Sequence, residues 1–224
     1  VKRQLIEPRL LSLNEFIIAS RGVLKIGLPA AGANMLTPIA GGVMTAVVAS
    51  YGAEAVAAWG VGNRLESIAS IVVLALSMSL PPFISQNYGA NKLSRIRTAY
   101  NIAAKFVMIW QLVVFVVLAL SANFIANLFA QEASVVRDIA LFLYIVPLAY
   151  GLQGIIILTN SSFNAMHKPL SALALSILRL FGFYVPIATL GSYLYGLQGL
   201  FWGCVVANLV TSIMAYSWFT RNLR

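Results

Sequence analysis

Residues 26–53 read IGLPAAGANMLTPIAGGVMTAVVASYGA, a run without one Asp, Glu, Lys or Arg. A helix rises ~1.5 Å per residue, so roughly 20 apolar residues cross the ~30 Å hydrocarbon core of a bilayer. This run is long enough, and it has company. Residues 67–91, 106–130, 139–167 and 180–220 are equally free of those four residue types. The chain reads as an all-α polytopic membrane protein.

Composition agrees. Hydrophobic residues make up 60% of the chain and charged residues 9%, with a mean hydropathy of +0.87. Soluble domains carry about 25% charged residues, so this chain could not clothe itself in a water-facing surface. The net charge of +9 does not point to nucleic acid, because the basic residues cluster at the ends of the apolar runs. There they act as orientation signals and meet membrane lipid head groups.

Six spans fit best, near 23–50, 53–80, 99–120, 138–158, 170–190 and 197–219, with a turn in Gly191-Ser192-Tyr193-Leu194-Tyr195-Gly196. Residues 1–22 read as a cytoplasmic linker and 221–224 as a cytoplasmic tail. Within the linker, Ser12-Leu13-Asn14-Glu15 has the form of a capping box opening a short interfacial helix. Residues 89–105 read as a basic helix running into the third span.

With the N-terminus inside, the inner loops hold Lys2, Arg3, Arg9, Arg21, Lys25, Lys92, Arg95, Arg97, Lys105, Lys168, Arg221 and Arg224. The outer loops hold only Arg137. That asymmetry puts both termini in the cytoplasm. Opening on Val1 without a leader pattern, the chain reads as a piece of a longer polypeptide, beginning in a linker.

Enzyme chemistry finds no parts here. With one Cys, Cys204, inside an apolar run and one His, His167, a zinc cluster lacks ligands and nothing resembles a nucleophile–base pair. No catalytic residue and no metal ligand is expected.

The polar residues within the spans carry the interest. Pro29 and Pro38 interrupt the first span, each removing a helical hydrogen bond, so the helix should bend. Asn34 and Thr37 lie between them at i, i+3 and offer neutral hydrogen bonds to a ligand or to another helix. Arg64 lies about 16 Å along its helix and Arg179 about 14 Å along its own, near the midplane, where a charge marks a functional site by default. Glu66, two residues from Arg64, points to nearly the opposite side and is free to pair with Arg179 across helices. Gln153 and Asn160, seven apart, share one helical face.

A family resemblance rests on these landmarks. Ile26-Gly27-Leu28-Pro29, Tyr51-Gly52-Ala53-Glu54-Ala55-Val56-Ala57-Ala58-Trp59-Gly60, Asn63-Arg64-Leu65-Glu66 and Pro82-Phe83-Ile84-Ser85-Gln86-Asn87-Tyr88-Gly89-Ala90 resemble the multidrug and toxic compound extrusion (MATE) transporters, their DinF-like bacterial branch above all. The resemblance implies a twelve-helix, two-lobe transporter of the bacterial inner membrane, of which this chain is the C-terminal six-helix lobe. It implies export of small organic, often cationic, compounds by antiport with H+ or Na+, the lobes rocking around a central cavity. The N-terminal lobe is then the expected partner, and no cofactor beyond the coupling ion is expected. Cavity-lining candidates are Asn34, Thr37, Arg64, Glu66, Gln153, Asn160 and Arg179.

Two positions depart from the family's pattern. An acid common in the first helix of this lobe aligns with Thr37, and another aligns near Gly154, so both are uncharged here. Ion coupling is then expected in the other lobe, or failing that at Glu66. A lipid-linked oligosaccharide flippase of the same superfamily and a non-transporting membrane scaffold are the alternatives.

Overall fold

The computed structural model describes residues 12–223. The capping box forms: Ser12 Oγ accepts from the Glu15 backbone N–H at 3.3 Å, and Glu15 Oε2 accepts from the Ser12 N–H at 2.9 Å. It does not start a separate helix. It opens α1 (Leu13–Ala49), which continues through the first span with both Pro29 and Pro38 in its run. The rest of the linker lies outside the described residues.

The second span comes as two helices, α2 (Ala53–Ala69) and α3 (Ile71–Gly89), bent by 42° at Ser70. Pro81 and Pro82 lie within α3. The third span, α4 (Leu93–Leu120), begins in the basic segment, as expected, and runs on without a break. A short helix, α5 (Ala122–Phe129), follows it; nothing in the apolar pattern marked it off from the third span.

The fourth span runs from Ala133 to Ala165. It is α6 (Ala133–Ile145), a 3-10 turn at Val146–Ala149 holding Pro147, and α7 (Tyr150–Ala165). The last stretch, Pro169–Arg221, comprises α8 (Pro169–Ile177), a π-helical segment Leu178–Tyr184, and α9 (Val185–Arg221).

That stretch folds back on itself within α9. Tyr195 (φ −134°, ψ 22°) and Gly196 (φ 61°, ψ −147°) leave helical geometry, in the turn expected from the two glycines. The legs on either side touch backbone to backbone. A Cβ on Gly191 would run into the Gly199 carbonyl, and one on Gly203 would sit 2.7 Å from the Ala188 Cα. Small residues permit this approach in lipid, where dispersion and polar contacts replace the hydrophobic effect between helices.

Two apolar cores result, one toward each end of the bundle. The first gathers Met44, Val48, Ala58, Trp59, Phe142, Leu143 and Phe201, with Trp59 and Phe142 edge to face at 5.7 Å. The second gathers Ile84, Ile96, Tyr100, Phe163, Leu175 and Phe219, with Tyr100 and Phe219 at 4.3 Å. Along the chain beyond α1, a polar residue falls between each stretch feeding one core and the stretch feeding the other. These are Glu66 after α2's core residues, Gln111 on α4, Gln153 on α7, Arg179 in the π segment and Asn208 on α9. The bundle has a polar layer at mid-height.

A polar cavity at mid-height

The layer opens into a cavity of about 360 Å³, lined by Thr37 of α1, Leu74 and Ser77 of α3, Gln153, Ile157, Asn160, Ser161 and Asn164 of α7, Ala172 and Ser176 of α8, and Arg179 and Leu180. Four of the expected residues therefore meet on one wall system: Thr37, Gln153, Asn160 and Arg179. Gln153 and Asn160 do share a face of α7.

Asn160 Nδ2 donates to Ser176 Oγ at 3.2 Å, and Ser176 Oγ donates to the Ala172 carbonyl at 3.0 Å. This chain ties α7 to α8 and sets the Asn160 amide, whose buried Oδ1 has no partner. Arg179 sits where the helix widens to π geometry, a feature that recurs at functional sites. Its buried Nε has no partner either.

Glu66 reaches the layer from α2 but does not line the cavity. The expected Glu66–Arg179 ion pair is corrected here. Gln153 Nε2 donates to Glu66 Oε1 at 2.8 Å, and no ion pair within 4.0 Å joins Glu66 to Arg179 among the described residues. The physical reason is that Gln153 of α7 takes up the carboxylate instead. Arg179 still lies near enough for each charge to act on the other, as do Tyr150 and Tyr184 for Glu66.

Arg64 is exposed on α2 and does not line this cavity. The side chains of Asn34 and Pro29 lie outside the described residues; Pro38 is exposed on α1. Ser77, Ser161, Asn164 and Ser176 line the cavity too, and the sequence did not single them out. They are common helix residues whose facing only the packing of α3, α7 and α8 reveals.

Gly154 turns away from the cavity. A Cβ there would collide with Val107 Cγ1 of α4 and meet Val73 Cγ1 of α3 at 3.4 Å. At the position where the resemblance puts an acid in many relatives, this chain has no room for a side chain.

Comparison with known proteins agrees with the fold. The MatE family profile matches residues 29–190. The FAD transporter of Shewanella oneidensis is 36% identical over 96% of this chain and 48% of its own length. The multidrug export protein MepA of Staphylococcus haemolyticus is 24% identical over 86% of this chain and 42% of its own. The bent form of the Vibrio cholerae MATE transporter VcmN superposes with a TM-score of 0.89 at 38% identity, covering 96% of this chain and 48% of that one. The chain spans about half the length of the curated relatives it matches. With helices long and apolar enough to cross a bilayer, a polar cavity and these relatives, which are transporters and not enzymes, the chain belongs to the MATE family of integral membrane proteins and has the fold of one lobe.

Proposed function

We propose that this chain supplies one lobe of a secondary active exporter of small organic compounds, cations among them, driven by antiport with H+ or Na+. The observation that carries this reading is a polar cavity that opens from the polar layer in a chain of this family. A second six-helix lobe, N-terminal to this one, closes the cavity from the opposite side. Rocking of the two lobes exposes it to each face of the membrane in turn, the general scheme of repeat-built carriers. The protein lies in the bacterial inner membrane with both ends of this chain cytoplasmic, as the lysine and arginine asymmetry supports. Ion coupling resides in the other lobe, because the two family acid positions here are Thr37 and Gly154.

A second reading of the cargo has its own support. One relative is named an FAD transporter, and the one charged group lining the cavity is a cation, Arg179. An aromatic anion such as a flavin dinucleotide is therefore a cargo as well. A single guanidinium falls short of the positive lining suited to lipid-linked oligosaccharides.

The test is uptake of ethidium and of flavin adenine dinucleotide into everted vesicles holding the whole transporter. Uptake should follow an imposed proton or sodium gradient and stop when that gradient is collapsed. Movement of neither compound under either gradient would overturn the proposal.

A further inference from the structure

We propose that Arg179 forms the subsite that holds the oxyanion of a transported cargo, a carboxylate or phosphate group, on the wall of the cavity it shares with Asn160. The inference rests on the efflux reading above and assigns it a place and a chemistry.

The first ground is what Arg179 lacks. A guanidinium has five N–H donors and stays charged at any pH a cell meets. Among the described residues no hydrogen bond or ion pair takes up any of them, and Nε is buried without a partner. A charge left in this state at membrane depth is costly and marks a site by default. Glu66 offsets some of that charge from a distance, but Gln153 holds one of its oxygens, and it leaves the guanidinium's donors open.

The second ground is the company it keeps. Every other residue lining the cavity is neutral: Thr37, Ser77, Gln153, Asn160, Ser161, Asn164 and Ser176 offer hydroxyls and amides, and Leu74, Ile157 and Leu180 an apolar surface. No lining carboxylate competes for the guanidinium or would attract a cation. The planar fork of Arg matches a carboxylate or phosphate through two parallel N–H···O bonds. Asn160, its Nδ2 held by the Ser176 bond and its Oδ1 buried, shapes the same wall without competing for the anion. The leucine and isoleucine surface suits a flat apolar body. The π-helical widening at Leu178–Tyr184 is a third mark of a built site.

The experiment compares two dyes of opposite charge, calcein and ethidium, in everted vesicles of the whole transporter. The unmodified protein should move both, and millimolar inorganic pyrophosphate should slow calcein while sparing ethidium. Arg179→Gln should lower the calcein-to-ethidium rate ratio at least tenfold, because it removes the anion's partner and the cation's repulsion together. Arg179→Lys, which keeps the charge without the fork, should fall between the two. Ethidium moved without calcein, or pyrophosphate acting equally on both, overturns the subsite and leaves the exporter reading standing. So does an equal loss of both dyes in a monodisperse Arg179→Lys protein, which would make Arg179 the ion-pair partner of a carboxylate in the other lobe. Failure of the unmodified protein to move either dye sinks the exporter reading itself.

Discussion

Gln153 on α7 donates its Nε2 to Glu66 Oε1 at 2.8 Å and lines one cavity with Arg179, and among the described residues no ion pair joins Glu66 to Arg179. The arrangement keeps Glu66 satisfied and Arg179 available.

Removing that amide should destabilise the lobe. Gln153→Leu leaves the Glu66 carboxylate without its donor, and a hydrogen bond to a charged group contributes about 2 kcal/mol. Glu66→Gln exchanges one hydrogen-bonding group for another and should cost less. In the double variant Glu66→Gln/Gln153→Leu, most of the loss should return, because no charge remains to be satisfied. Thermal unfolding of the detergent-solubilised protein measures all three. With coupling in the other lobe, Glu66→Gln also keeps gradient-driven uptake; its loss in a stable protein would move coupling to Glu66.

The bend between α2 and α3 has its own support. Gln111 Nε2 of α4 donates to the Ala69 carbonyl at 2.9 Å, one residue before Ser70. Gln111→Leu should therefore lower stability by about 1 kcal/mol, the usual size of an interhelical hydrogen bond in a membrane or somewhat above it. Amide exchange should quicken around Ser70 before it does so in the Tyr100–Phe219 core. Unchanged exchange at the bend would mean that Gln111 merely packs there.

The hairpin within α9 depends on absent side chains. Gly199→Ala drives a Cβ into the Gly191 carbonyl, a backbone atom that cannot swing aside. Overpacking of this kind costs about 1–3 kcal/mol. Gly60→Ala on α2 points into open space and should be neutral or slightly stabilising. A thermal-shift comparison of the two variants separates tight packing from a general preference for glycine.

The long apolar helices Leu93–Leu120, Ala133–Ala165 and Pro169–Arg221 were legible because charge-free length is a direct consequence of bilayer thickness. The hairpin was legible for a similar reason, since Gly191 and Gly196 bracket a stretch too long for one helix. Interruptions smaller than a span were not. The Ser70 bend, the 3-10 turn at Pro147 and the π segment around Arg179 leave hydropathy unchanged and arise from packing between helices. The cavity residues show the same divide. Periodicity put Gln153 and Asn160 on one face, yet it could not say which helix that face meets. Arg64 and Arg179 looked alike by depth, and only the assembled bundle exposes the first and turns the second into the cavity.

The last prediction concerns the acid this lobe lacks. Gly154 is pressed against Val107 and Val73, so Gly154→Asp must both displace Val107 and bury a carboxylate with no donor beside it. The single variant should fail to accumulate as a monodisperse protein. Trimming the obstacle in Gly154→Asp/Val107→Ala removes the Val107 Cγ1 collision and should recover part of the yield, the unpaired carboxylate accounting for what stays lost. Size-exclusion profiles of the two proteins, expressed side by side, decide the matter. A well-behaved single variant would show that α4 and α7 can part to admit a side chain. The glycine would then reflect where this transporter couples its ions and not how tightly its helices pack.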